Sequence, residues 1–256
     1  KIALITFYRA LVTSGNLKPI DALIKRLLEQ GINPLPVYVS SLKDQHSDEF
    51  IKEVTLKLDI SVVLNTTAFA VSSTESPAKT GPFRNTDCPV FQLILSSSEK
   101  DTWLASPTGL SPRDIAMNVA LPEVDGRLIS RAVSFKSSAE YDRKTQCSIV
   151  TYKPVRDRIS FVVNLIKSWI KLRYIPADKK RLAIILSNYP NKDSRIGNGV
   201  GLDTPASAIS ILRALKKRGY LIKNIPKNSA SLMKMIRKGP TNNIYQSEQK
   251  ESEAPF

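Results

Sequence analysis

Residues 2–39 read IALITFYRALVTSGNLKPIDALIKRLLEQGINPLPVYV. Ile2 to Phe7 is a short apolar run that leans to β structure, the pattern of a strand buried on both faces of a parallel sheet. A polar break containing Ser14, Gly15 and Asn16 follows. Leu17, Ile20, Leu23, Ile24, Leu27 and Leu28 then recur at helical spacing, and Gly31 stands where a left-handed residue closes a helix. Pro34 to Val39 is extended in pattern again. Strand, helix, strand is the unit from which parallel α/β sheets are built.

The pattern continues outward. Ser47 can cap a helix whose first turn carries Asp48 and Glu49, with Phe50, Ile51, Val54 and Leu58 as its inward face. Ser61 to Asn65 reads as a third strand and Val90 to Leu95 as a fourth, separated by a Ser-, Thr-, Pro- and Gly-rich loop over 70–89. Ser111-Pro112-Arg113-Asp114 is a helix start, Asp125-Gly126 a turn, and Leu128 to Phe135 extended. Val155, Ile159, Val162, Ile166 and Ile170 form one stripe along a long helix. Leu182 to Leu186 then begins a second strand, loop, helix and strand: Ala208, Ile209, Leu212 and Leu215 line the helix, Gly219 ends it, and Tyr220 to Ile225 is the next strand candidate. The expected fold is therefore α/β: two flavodoxin/Rossmann-like parallel-sheet modules joined by a long helix, the second incomplete. The expected division is 1–153 for the first module, 154–176 for the connecting helix, 177–241 for the start of the second module, and 242–256 for a frayed polar tail.

Composition narrows the function. The 256 residues are 42% hydrophobic, which excludes wholesale disorder. Two cysteines, Cys88 and Cys147, exclude a disulfide scaffold and suit a reducing, cytoplasmic setting. One histidine, His46, excludes a His-rich metal site, and no apolar run has the roughly 18 residues a membrane span needs. The net charge of +15 is uneven: residues 1–150 hold 17 basic and 16 acidic side chains, residues 151–256 hold 21 and 7. The basic half is either a site for an anionic partner or an ordinary solvated lysine-rich surface. No zinc-finger, RNA-recognition or basic-zipper pattern is present, so nucleic acid is not the expected partner.

The loop SNYPNKDSRIGNGVGLDTP (187–205) joins a strand candidate to a helix start, the place where open parallel sheets bind ligands. Gly197, Gly199 and Gly201 permit tight turns and close backbone approach, Arg195 can pair with carboxylates, and Thr204-Pro205 reads as cap and first helical residue. Leu202 stands where a dinucleotide fingerprint would need its third glycine, and no Gly-Lys-Ser/Thr exists for a P-loop. The loop is either a ligand contact or a glycine-rich connection without one. Asn65-Thr66-Thr67 and Ser14-Gly15-Asn16, at the ends of the third and first strands, are pocket positions or plain turn caps. No nucleophile stands with a base in any recognised motif.

SNYPNKDSRIGNGVGLDTPAS (187–207) resembles the signature of the large subunit of aerobic cobaltochelatase, the CobN type, related to the large H subunit of magnesium chelatase. FYRALVTSGN (7–16), PLPVYVSSLKD (34–44), VVLNTTAFA (62–70), GLSPRDIAMNVALPEVDGRL (109–128), SRAVSFK (130–136), DRKTQC (142–147) and KGPTN (238–242) agree. The stretches 7–16 and 62–70 favour the cobalt branch over the magnesium branch. The resemblance implies a tetrapyrrole-binding subunit that takes hydrogenobyrinic acid a,c-diamide, an anionic corrinoid, with Co²⁺ as the metal inserted. It also implies that ATP–Mg is hydrolysed by AAA+ partner subunits rather than on this chain. Contact with the corrinoid falls on Asn188, Tyr189, Arg195, Gly197, Asn198, Gly199 and Gly201, with Tyr8 and Asn65 as further candidates. No catalytic or metal-ligating residue is assigned. The family's downstream His-Gly…Leu-Glu segment is missing, and the chain after Asn242 departs from the pattern, so the sequence reads as part of a longer subunit, inactive alone. The alternatives are a porphyrin-binding magnesium-chelatase segment and a non-enzymatic basic docking module. Cobalt incorporation assayed on this chain with its ATPase partners is expected to be nil, and measurable incorporation would overturn that reading.

Overall fold

The computed structural model describes residues 1–72, 81–84, 86–137, 140–187, 189 and 196–239. The chain divides into two compact units, Lys1–Arg173 and Tyr174–Phe256.

The first unit opens with β1 (Ile2–Tyr8), α1 (Arg9–Thr13), α2 (Lys18–Glu29), β2 (Asn33–Val39), α3 (Gln45–Lys57) and β3 (Ile60–Asn65). It continues with β4 (Val90–Glu99), α4 (Lys100–Ala105), α5 (Pro112–Ile115), a π-helical turn (Ala116–Ala120), α6 (Leu121–Val124) and β5 (Leu128–Lys136). A small hairpin of β6 (Glu140–Asp142) and β7 (Cys147–Ile149) precedes β8 (Tyr152–Pro154) and α7 (Arg156–Tyr174). The six-stranded sheet runs β2-β1-β3-β4-β5-β8. β1 to β5 are mutually parallel, and β8 returns antiparallel on β5. The α/β expectation is met, with all five expected strands of this half present as β1 to β5; the β6–β7 hairpin and the antiparallel β8 were not foreseen.

Two features of the sequence set this order. Gly31, at φ +69°, ends α2 in a left-handed turn: the Gly31 N–H donates to Leu28 O and the Ile32 N–H to Leu27 O, each at 3.0 Å. Leu27 and Ile32 are both buried, so the chain is turned straight into β2. The alternation in β1 then feeds opposite faces. Ala3, Ile5 and Phe7 pack with Ile20, Leu23 and Leu27 of α2 and with Ile159, Val162, Val163, Ile166 and Ile170 of α7. Leu4 packs on the other face with Val37, Val39, Val63 and Ile51 of α3. A third cluster joins Ile94, Ala132, Phe135 and Val155 near β5.

Several expectations are corrected. α3 is capped by Asp44, whose carboxylate accepts the Ser47 N–H at 3.0 Å, and not by Ser47. Only Ile51 of α3 is fully inward; Phe50 is 52% exposed, since neighbouring helical residues point about 100° apart and Ile51 takes the buried position. The long helix expected as a connector places its apolar stripe in the first unit's core. In the second unit α8 (Thr204–Lys217) is capped by Asp203 rather than Thr204, and Gly219, at φ +87°, follows its end as expected. α9 (Ser229–Lys238), held by an Asn228/Ser231 capping box, was not foreseen. The expected strands at 182–186 and 220–225 are not formed among the described residues. A β-ladder needs a neighbour to take its N–H and C=O groups, and Ile185, in the middle of the first run, is 91% exposed. The second unit's small core is Ala208, Ile209 and Leu232 with Leu186 and Ile225 against them. The expected tail at 242–256 lies outside the described residues.

Ile166→Ala should lower unfolding free energy by about 2–5 kcal/mol in urea titrations, whereas Phe50→Ala should stay within about 0.5 kcal/mol. Comparable losses from the two would mean that the buried face of α3 is wrongly placed.

Candidate functional site

In a parallel sheet ordered 2-1-3-4-5, the crevice for ligands opens between the strands from which the chain departs to opposite faces, here β1 and β3. A row of polar side chains crosses the sheet at this level. Thr6 pairs with Asn65 and Asn65 with Gln92 in register, and all three are 0% exposed. Thr6 Oγ1 donates to Asn65 Oδ1 at 2.7 Å, and Thr67 Oγ1 donates to the same oxygen at 2.9 Å. Asn65 Nδ2 donates to Gln92 Oε1 (2.7 Å) and to Thr67 O (2.9 Å). Every hydrogen-bonding position of the Asn65 amide is thus used inside the protein.

The row ends on Arg127, just before β5 and 4% exposed. Its Nη1 donates to Gln92 Oε1 at 3.0 Å and its Nη2 to Asp125 Oδ2 at 2.6 Å. Burial pulls the Arg127 guanidinium below its ordinary pKa, and the neighbouring Asp125 carboxylate opposes that. Asp125 also accepts the backbone N–H groups of Val71 (2.9 Å) and Ser72 (2.8 Å).

These contacts converge on the segment that follows β3. The Thr66 N–H and hydroxyl donate to Thr6 O at 2.9 and 3.0 Å. Thr67 O accepts from Asn65 and Gln92, each at 2.9 Å, and from Arg127 at 3.4 Å. The Tyr8 hydroxyl donates to Ala68 O at 3.2 Å, and the Phe69 N–H to Met117 O of the π-helical turn at 2.9 Å. Burial raises the Tyr8 phenol above its ordinary pKa, against lesser opposition from its Ala68 contact and from Arg127. Phe69 itself sits at φ +67°. A bulky residue in the left-handed region costs about 1–3 kcal/mol and persists only where its surroundings over-determine it. Beside this node Asp114, 2% exposed, lies in the first turn of α5, where its N–H donates to the capping Ser111 Oγ (3.1 Å), and its carboxylate accepts from Ser96 Oγ (2.7 Å), the Ser97 N–H (3.1 Å) and Asn118 Nδ2 (3.3 Å).

The glycine-rich loop lies in the second unit. Asn188 and Arg195 are outside the described residues. Tyr189 is 65% exposed, and its N–H donates to Asn198 O at 3.1 Å while Asn198 Nδ2 donates back to Tyr189 O at 2.6 Å. Gly197 (φ +66°) and Gly201 (φ +73°) occupy left-handed turns, and a Cβ at Gly199 would stand 3.0 Å from Thr204 Oγ1. Among the described residues of the loop, Tyr189 and Asn198 are thus tied to each other through the Tyr189 backbone and the tyrosine is exposed. Of the other sequence candidates, Asn16 Oδ1 accepts the Tyr152 N–H at 2.8 Å and ties the first loop to β8. His46 is exposed in the first turn of α3, Cys147 is exposed, and burial raises the Cys88 thiol. Among the described residues no group of His, Cys, Asp and Glu could hold a metal ion, and no helix is long and apolar enough to cross a membrane.

The family described as CobN/Magnesium Chelatase matches residues 1–255. The chain belongs to this family. Aerobic cobaltochelatase subunit CobN of Sinorhizobium sp is 44% identical over 238 residues, covering 93% of this chain and 19% of that protein. The subunit of the same name from Pseudomonas aeruginosa is 40% identical over 243 residues, 95% of this chain and 19% of that one. The solved catalytic subunit of cobaltochelatase from Mycobacterium tuberculosis superposes with TM-score 0.77 at 30% identity, over 94% of this chain and 20% of that one. Magnesium-chelatase subunit ChlH of Oryza sativa subsp. indica is 25% identical over 235 residues, 89% of this chain and 16% of its own length. The chain therefore spans about a fifth of the cobaltochelatase subunits it matches.

Within this CobN/magnesium chelatase segment the structure brings Tyr8 and Asn65 together at one crevice, Tyr8 reaching the loop and Asn65 beneath it. Sequence reasoning missed Gln92, Arg127 and Asp125. The available signal was Asp125-Gly126-Arg127, an opposite-charge pair flanking a turn immediately before a strand, which read as a turn alone. Removing one partner of the buried pair by Arg127→Met is expected to cost about 3–5 kcal/mol in denaturant unfolding. A loss under about 1 kcal/mol would show that the pair is solvated. Because burial raises the Tyr8 phenol above its ordinary pKa, its contribution is fully present below that ordinary value and is lost as the pH climbs through the folded value. Tyr8→Phe should therefore fall off less steeply in stability than the parent above about pH 10. An unchanged slope would contradict the burial of the phenol.

Proposed function

We propose that this chain is part of the large, tetrapyrrole-binding subunit of a cobalt-type chelatase, and that it helps to hold hydrogenobyrinic acid a,c-diamide for insertion of Co²⁺. The observation that carries the choice of metal branch is the gap in identity between the CobN subunits and the magnesium-chelatase subunit over nearly the same residues. Co²⁺ is substrate in this reading. ATP–Mg is consumed by AAA+ partner subunits in the same complex, and the setting is cytoplasmic.

The chemistry of insertion defines what this chain is asked to do. Two ring N–H protons must leave, which needs a base, and Co²⁺ must shed water, which needs transient ligands. The residues described here supply surfaces and anchored backbone rather than such groups, so the proposed share of the work is binding and orientation. Tyr8, above Asn65, forms the wall at the β1/β3 crevice. In the second unit Tyr189 and the backbone at Gly197, Asn198, Gly199 and Gly201, together with Asn188 and Arg195, are proposed for contact. The corrinoid's carboxylates would meet the basic second half, where residues 151–256 carry 21 basic and 7 acidic side chains.

Titration of the chain with hydrogenobyrinic acid a,c-diamide and with a porphyrin, followed by absorbance, tests this. Tighter corrinoid binding that weakens as salt rises is expected. Preference for the porphyrin would favour the magnesium-type reading. Capture of the ATPase subunits with neither tetrapyrrole bound would favour a docking module.

A further inference from the structure

Phe69 stands apart from every other large apolar residue of the first unit in its backbone. Apart from Gln146, in the turn of the β6–β7 hairpin, it is the one non-glycine residue at positive φ among the described residues. The ring is 51% exposed, joins none of the apolar clusters and stacks on no aromatic side chain among the described residues. Among the described residues no apolar cluster therefore accounts for a phenylalanine there. A glycine or asparagine would take the same backbone conformation at lower cost.

The surroundings nevertheless fix that conformation from both sides. Ala68 O is held by the Tyr8 hydroxyl, the Phe69 N–H by Met117 O, and Val71 and Ser72 by the buried Asp125 carboxylate. The ring is thus presented to solvent from a backbone with little freedom, at the crevice where the sheet order places a ligand. A half-exposed aromatic on a fixed loop loses little entropy when a flat conjugated ring packs on it. The helical segment that accepts the Phe69 N–H continues with exposed Leu121 and Val124, so the apolar character extends along that element.

We propose that Phe69 is a binding residue whose ring packs against the conjugated face of the tetrapyrrole, with the Asn65–Gln92–Arg127–Asp125 node as its positioning device. This rests on the tetrapyrrole-binding reading above and adds the residue and the face of the ligand.

Phe69→Gly separates ring from fold, since it removes the aromatic face and relieves the backbone at once. In absorbance titrations with hydrogenobyrinic acid a,c-diamide, Phe69→Gly should bind about tenfold more weakly or worse than the parent chain, with no drop in thermal midpoint. Phe69→Trp should retain parent affinity. Should the glycine variant melt lower than the parent, Phe69→Asn, which tolerates the same φ, takes its place in the comparison. Equal affinity of parent and ring-less variant overturns the assignment of Phe69 and leaves the tetrapyrrole reading standing. Failure of the parent chain to bind the corrinoid overturns both.

Discussion

A guanidinium and two carboxamides set into an apolar sheet each cost about 1–3 kcal/mol or more if their polar atoms go unpaired. Thr6, Asn65 and Gln92 meet that requirement by bonding to one another and to the backbone after β3, and Arg127 meets it through its two terminal nitrogens, its Nε being without a hydrogen-bond partner among the described residues. The satisfaction of the row and the shape of the 66–72 segment are therefore one constraint. If the segment lifted, Asn65 and Gln92 would lose Thr67 O while Asp125 lost the Val71 and Ser72 N–H groups and kept only Arg127 among the described residues. A fold that needed only stability could have filled the row with valine or leucine, as it does elsewhere on β1 and β3.

The rest of the first unit serves to place this row. The Gly31 turn sends β2 to one side of β1, α3 returns the chain on the opposite face, and β3 enters on the other side. That reversal opens the crevice at the row rather than elsewhere along the sheet. α7 closes the face away from the row with an unbroken apolar stripe, which leaves the row's own face divided between the cluster around α3 and that around β5. The loop thus lies over a polar interruption between two cores.

The strands of the first sheet were legible because their apolar runs are buried on both faces and are bounded by turn residues, as at Ile2–Tyr8 and Ile60–Asn65. The strand-like runs of the second half misled for the same reason: LAIIL has the composition of a buried strand, but composition does not supply a neighbour, and Ile185 is exposed. Phe50 was assigned inward together with Ile51, but neighbouring helical residues point about 100° apart, and Ile51 takes the buried position. Tyr8 and Asn65 could be found from strand ends. Gln92 could not, since a polar residue inside an apolar run, VFQLIL, gains meaning only from the cross-strand register that sets it beside Asn65. The strain at Phe69 is equally invisible in NTTAFA.

The central claim is that the 66–72 segment is fastened to the sheet by buried groups. Native-state hydrogen exchange at the Val71 and Ser72 amides, whose N–H groups end on Asp125, reads this directly. The account requires both to exchange only through the opening that also frees the amides of β3 and β4. Exchange at rates close to those of an unstructured peptide, with the strands still protected, would contradict it.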